Sequence, residues 1–369
     1  MAMVVALACE LARRGHEVDV VCTDRPSGSA HEAQWISRLA ESGVMVRFLG
    51  RTLGSPGLLP AMKLWRLIQS KRYDVVHSHL PMPDAMCGLA RRLSVPRFAH
   101  VVTVHNSLEP RSWPLTLLAR GGNVAYCSQV ARERNPLAGQ ISMVIPNGIP
   151  QKPYSEQSLS KQQIRERLGI PADAMVMIAV GRMCPQKDFD TALETLRFLE
   201  SHKMFPRLQC LFCGDGDDKV RLEVRAHQMG LDQVVRFMGT RTDIPELLKA
   251  SDIFLSTSRY EGMPLTVLEA LTAGLTCVLS DIEEHREIAD SAPGCYFVPH
   301  VAEAIGFAVQ DAVRDMPNAK LLRQIRGSLL QKHSVTSCVD SYEALYRSCS
   351  RSASVVRQSA SQRGANVAN

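Results

Sequence analysis

Short β-branched apolar runs alternate with helix-length segments along nearly the whole chain. In the first 150 residues the runs HEVDVVC (16–22), VMVRFLG (44–50), YDVVHSH (73–79), RFAHVVTVH (97–105), NVAYCS (123–128) and SMVIP (142–146) read as strands. Helices are predicted at His31–Ser42, Leu58–Lys71 and Asp84–Leu93, and the opening residues MAMVVALACELARRG read as an amphipathic helix ending at Gly15. The rhythm breaks at PNGIPQKPYSEQSLS (146–160), a linker by composition, and then restarts. MVMIAVG (175–181), RLQCLFCG (207–214), VVRFMG (234–239), DIFLSTS (252–258), TCVLSD (276–281) and CYFVP (295–299) are the second set of strands. Between and after them, helices are predicted at Asp190–Ser201, Asp218–Met229, Ile244–Ala250, Pro264–Ala273, Ala319–Lys332 and Ser337–Ser348.

Strands alternating with helices imply parallel sheets covered on both faces. The fold expected is α/β, with two doubly wound domains: 1–150, then 151–335. A helix at 336–349 is expected to pack back on the first, and the Ser/Arg/Gln/Asn-rich tail 350–369 to be disordered. In such sheets ligands bind beyond the carboxyl ends of the strands, so the residues just after each strand carry the candidate chemistry.

After the run ending at Val180, Gly181 permits a tight exit, and Arg182 and Lys187 precede a helix. Two cations beside a helix N-terminus form a diphosphate site; the alternative is two solvated surface charges. After Phe212 comes CGDGDDK. Gly214 belongs to a partial dinucleotide loop whose third glycine is replaced by Lys219, so the nicotinamide fingerprint fails. Asp188 and Asp190 (DFD) resemble a metal-binding pair but read more simply as helix caps. No metal site is expected.

After the run at 252–258, the stretch STSRYEGMPLTVLEALTAG (256–274) sets Glu261 in a loop. Pro264 opens a helix, Leu265, Leu268 and Leu271 form its apolar stripe, and Gly274 ends it. Glu269 lies five residues into that helix, and helix side chains lean toward the N-terminus, so its carboxylate aims at the same crevice. Carboxylates accept from paired hydroxyls, such as those of a ribose or a sugar. Taken singly, each glutamate also fits an ordinary surface charge.

The charge is uneven. Residues 1–150 hold 17 Lys and Arg against 10 Asp and Glu, while the whole chain carries +6. Leu64, Leu67 and Ile68 of MKLWRLIQSKR (62–72) form a stripe beside Trp65 and four cations, readable as a lipid-docking surface or as a solvated helix face. The eleven cysteines are an odd number, several inside strand runs, which suits reduced buried thiols. CLFC (210–213) has no second pair of ligands to make a metal site.

VGRMCPQKDFDTAL, CGDGDD, VRFMG, SRYEGMPLTVLEALTAG and LSDIEEHREI occur in this order, and together they resemble glycosyltransferase family 4, retaining nucleotide-sugar transferases of the GT-B fold. GHEVDVV, YDVVHSH, TVHN and VIPNGI resemble that family's acceptor domain. The resemblance implies that Arg182 and Lys187 bind the donor's diphosphate, that Glu269 holds the ribose, and that Glu261 contacts the transferred sugar. It places backbone amides around Gly262, Met263, Pro264 and Leu265 at the sugar and phosphate, and has His105 reach the donor sugar across a cleft. The donor is a UDP- or GDP-sugar, no cofactor is required, and the acceptor is a glycan or lipid-linked. The resemblance implies a cytoplasmic enzyme, peripheral at the inner membrane surface, with no nucleic-acid partner. By comparison with the family the chain starts late, inside the first helix, so the first strand of the N-terminal domain is expected to be missing. A non-hydrolysing epimerase and a nucleotide-sugar-binding module without turnover share the architecture.

Overall fold

The computed structural model describes residues 2–52, 57–94, 98–107, 122–137, 139, 141–156 and 158–365, with the side chains of 30, 31, 155 and 351–365 left aside. The chain forms two compact units. One is Met1–Gly148 with Val335–Asn369, and the other is Ile149–Ser334.

Each of the twelve apolar runs forms a strand, and all the strand pairs are parallel. In the first unit these are β1 (Asp19–Asp24), β2 (Met45–Arg51), β3 (Val75–His79), β4 (Ala99–Val104), β5 (Asn123–Tyr126) and β6 (Ser142–Val144). They make two sheets rather than one: β1-β2, and β3-β4-β5-β6. Among the described residues β1 has a ladder partner only in β2, and β3 only in β4. The sheets share a core nonetheless. Val21 of β1 and Val76 of β3 pack on a cluster of Leu49, Leu64, Ile68, Met86 and Phe98. All six residues of β4 are buried, as suits a strand covered on both faces.

The helix Val335–Ala365 packs on the helix Ala2–Arg13 and on β4. Val339, Tyr342, Leu345 and Cys349 are its buried face, and Arg14 reaches Asp340 at 2.6 Å. The helix runs on to Ala365, and no glycine or proline interrupts it before Gly364. Residues 366–369 lie outside the described residues.

The second unit holds β7 (Met175–Val180), β8 (Leu208–Cys213), β9 (Val235–Gly239), β10 (Ile253–Ser256), β11 (Thr276–Ser280) and β12 (Cys295–Val298), in the spatial order β12-β11-β10-β7-β8-β9. The chain lays β7, β8 and β9 outward on one side, then returns to place β10 against the other edge of β7. The crevice between β7 and β10 is therefore the topological switch point of the sheet, where such folds bind ligands. The linker contributes to this unit. Ile149 pairs with Ser334, and Lys152–Ser155 form a short helix. Helices that the pattern above does not single out stand at Gln129–Arg134, Lys161–Leu168, Glu283–Ala289 and Ala302–Arg314.

One helix points its N-terminus at the switch point. It spans Leu265–Ala273, and Pro264 is its N-cap rather than its first helical residue. Its C-terminal end is held by two guanidinium groups: Arg323 donates to Ala273 O at 2.9 Å, and Arg326 to Leu275 O at 3.0 Å and Pro293 O at 3.1 Å. Cations there complement the helix dipole. Arg326 is fully buried to do this, and the expected helix Ala319–Lys332 breaks at it into Ala319–Ile325 and Gly327–Lys332. Gly274 closes the Leu265–Ala273 helix at φ +84°, and a Cβ there would lie 2.5 Å from Ala319 O. Gly274→Ala is therefore expected to lower stability by about 1–3 kcal/mol, read as a shifted chemical-denaturation midpoint.

Candidate functional site

Two loops meet at the switch point, Gly181–Asp188 after β7 and Thr257–Pro264 after β10. Lys187 Nζ pairs directly with Glu261 Oε1. Glu261 is buried, at 5% relative exposure, and Ser258 Oγ donates to the same oxygen at 2.7 Å. Ser258 is tied further back. Its hydroxyl lies 3.2 Å from Ser256 Oγ, which lies 3.3 Å from His285 Nε2, and Ser280 Oγ donates to Ser258 O. His285 Nδ1 donates to Ser280 O at 2.8 Å, leaving Nε2 as the acceptor, and burial holds the ring neutral by lowering its pKa.

Glycines clear the space for Lys187 and its loop. A Cβ on Gly181 would sit 3.3 Å from Lys187 Cε, so the missing side chain makes room for the lysine stem. A Cβ on Gly214 would lie 1.9 Å from Gly181 O: the β8 loop and the β7 loop touch through backbone alone. Arg182 is exposed and makes no hydrogen bond or ion pair among the described residues. Gly262, Met263 and Pro264 are buried and Leu265 is half-buried. Together they lead into a helix whose first turn has no side-chain cap, so its N-terminus keeps positive character for an anion.

Glu269 joins the same cluster. Part of its side chain reaches solvent, yet burial of the carboxyl pushes its pKa up to about 7, against opposing pulls from a Tyr154 hydrogen bond and the Lys187 charge. Lys187 is thus the cation common to both glutamates. Tyr154 comes from the linker, where the sequence carries no signal for it.

The aspartates of DFD are spoken for. Asp188 caps the helix Phe189–Ser201 and binds His300 and Arg259, and Asp190 pairs with Arg221 and Arg225. No group of His, Cys, Asp or Glu among the described residues could hold a metal ion. Cys210 and Cys213 are buried free thiols in β8, their pKa raised by burial.

His105 lies in the first unit, at the end of β4. Its Nε2 is 2.8 Å from His79 Nδ1, so one ring donates and the other accepts. His77 is held by Tyr346 OH at 2.7 Å and Thr103 Oγ1 at 2.6 Å. Burial lowers the pKa of His105 to about 4 and of His77 to about 3, so both rings are neutral at pH 7.

The family model for Glycosyltransferase Family 4 matches residues 2–151, and that for Glycosyl transferases group 1 matches residues 160–326. The chain belongs to the family 4-type glycosyltransferases. It is 29% identical over 239 residues to the UDP-Gal:alpha-D-GlcNAc-diphosphoundecaprenol alpha-1,3-galactosyltransferase of Escherichia coli, a match that spans 60% of this chain and only about three fifths, 61%, of that enzyme's length. It is 24% identical to the alpha-monoglucosyldiacylglycerol synthase of Acholeplasma laidlawii, over 77% of this chain and 76% of that one. Among solved structures, Anabaena Alr3699/HepE in complex with UDP-glucose shares its fold with a TM-score of 0.80 at 18% identity, covering 94% of this chain and 95% of that one.

The buried carboxyl of Glu269 gives the protein a pH-dependent stability. With a folded pKa above the ordinary carboxyl value, protonation is favoured by folding; that stabilisation is complete below the ordinary value and lost as pH rises through about 7. Glu269→Gln is expected to match the parent at pH 4.5 and to exceed it by about 1–2 kcal/mol at pH 8. Melting curves across that range check this, and parallel curves would contradict it.

Proposed function

We propose that the protein is a retaining glycosyltransferase that moves a sugar from a nucleoside-diphosphate sugar to a glycan or lipid-linked acceptor. The observation that carries this reading is Lys187 paired with Glu261, its charge felt by the buried carboxyl of Glu269, beside a helix N-terminus without a side-chain cap at the sheet's switch point. By their names, one relative above uses UDP-Gal with a diphosphoundecaprenol-linked acceptor and the other makes alpha-monoglucosyldiacylglycerol, which supports a UDP-sugar donor and a lipid-linked acceptor.

In this proposal the diphosphate takes Lys187 from Glu261. Lys187, Arg182 and the helix N-terminus bind its negative charge, and the freed Glu261 accepts hydroxyls of the transferred sugar. Glu269, as carboxylate, accepts both ribose hydroxyls. His105 acts on the transferred sugar as a neutral ring. The acceptor hydroxyl attacks the anomeric carbon on the face from which the nucleoside diphosphate departs. The breaking C–O bond leaves its electron pair on the leaving phosphate oxygen, which takes the acceptor's proton. Catalysis is then positioning plus stabilisation of developing charge.

A thermal-shift panel of UDP-, GDP- and ADP-sugars tests the site. One nucleotide series is expected to raise the melting temperature of the parent, with the shift lost in Lys187→Ala and reduced in Arg182→Ala. The expected loss in kcat/KM is about 10²–10³-fold for Lys187→Ala. Donor affinity is expected to strengthen as pH rises through about 7, where Glu269 ionises, and Glu269→Gln to flatten that profile. Full ligand shifts in both lysine and arginine variants would refute the site.

The lipid-surface partner is also part of the proposal, with a changed face. Leu64 and Ile68, read from the sequence as part of a docking stripe or of a solvated helix face, are buried in the core. The exposed side of the helix Leu58–Lys71 carries Leu58, Leu59 and Met62 instead, beside Lys63, Arg66 and Lys71, and the helix has no acidic residue. Apolar residues next to cations suit an anionic bilayer surface, and no helix among the described residues is long and apolar enough to cross one. Co-sedimentation with phosphatidylglycerol vesicles is expected at low salt, weakened by salt and by Leu59→Glu. Absence of binding at low salt would remove this partner.

A further inference from the structure

We infer that Asp188 is a positioning residue that clips the β7 and β10 loops together and so sets Lys187 against Glu261. It adopts a left-handed backbone conformation, φ +45°, directly after Lys187. Its carboxylate is 4% exposed and receives bonds from three separate segments. His300, after β12, approaches Oδ2 at 2.6 Å; Arg259, after β10, donates Nε at 2.9 Å; Thr191 donates Oγ1 at 3.0 Å.

The distances separate two roles. A helix N-cap needs only an acceptor for a first-turn N–H, and that bond, Thr191 N to Oδ1, is the longest of the set at 3.4 Å. The shorter bonds are charge-assisted or directed across loops. Burial alone would raise the carboxyl's pKa, but the bonds from His300 and Thr191 and the charge of Arg259 outweigh it and bring it to about 2. The aspartate therefore stays ionised as the anchor of the cluster.

The backbone follows the clip. Thr257 Oγ1 donates to Asp188 O at 2.8 Å and to Lys187 O at 3.2 Å. Arg259 N donates to Gln186 O at 2.9 Å, and Gln186 Nε2 to Tyr260 O at 3.0 Å. Residues 186–188 and 257–260 are thus zipped side by side, with the Lys187–Glu261 pair next along. Only what Lys187 binds depends on the proposed function; the clip does not.

The test uses Asp188→Gly and Arg259→Ala. Glycine adopts positive φ without strain, so Asp188→Gly removes the carboxylate and keeps the backbone path. Amide hydrogen exchange on the ligand-free protein is expected to quicken about tenfold over residues 256–262 in either variant, and the double variant to add little to the singles. Titration calorimetry with UDP and GDP is expected to show affinity reduced about tenfold in Asp188→Gly. A role as helix cap alone would speed exchange only in the first turn of Phe189–Ser201 and leave nucleotide affinity unchanged. Parent-like exchange at 256–262 in Asp188→Gly overturns the inference. If the parent binds neither nucleotide, the UDP- or GDP-sugar donor reading fails, and the exchange result still decides the clip.

Discussion

The ion pair between Lys187 and Glu261 is the constraint around which the second unit is arranged. Two opposite charges at a sheet's carboxyl edge are costly to bury unless each is satisfied by the other and by further hydrogen bonds. Ser258 supplies one such bond to Glu261. Gly181 leaves room for the lysine stem, and Gly214 lets the neighbouring loop lie against Gly181. A pair so held stays in place until a ligand with negative charge and hydroxyl groups can divide the two groups between its parts.

Glu269 belongs to the same electrostatic problem and is solved differently. Lys187 is already committed to Glu261, so the second carboxyl is only partly compensated, and burial pushes its pKa up to about 7. Stability is given up at neutral pH to keep an acceptor in the crevice, as functional sites commonly do. The helix that carries it is anchored at the far end by Arg323 and Arg326. Its N-terminus is left without a side-chain cap, so the helix is fixed at the end away from the switch point and keeps its positive character at the other.

Much of this was legible along the chain. Short β-branched apolar runs located all twelve strands, and the helix Leu58–Lys71 has the bounds its pattern predicts. Lys187, Glu261 and Glu269 were marked by standing just after strands or early in a helix. Ser258, His285 and Tyr154 were not, because each acts through a partner distant in sequence, and Asp188 was marked only as a helix cap. Asp188 looks like a plain helix cap until His300, 112 residues on, is seen at its carboxylate. The helix Leu58–Lys71 was read as a docking surface or a solvated face for a related reason: an apolar stripe such as Leu64 and Ile68 also fits a core, and only the neighbours of the helix decide.

The sequence by itself determined the α/β alternation, the parallel strands it implies, and the residue types available after each strand, because local periodicity and turn chemistry act over a few residues. It did not determine strand order. Lys187 and Glu261 lie 74 residues apart, and they meet because β10 pairs with β7 rather than with β9. That pairing is a property of the whole sheet. It is also what turns two ordinary loop charges into one buried site.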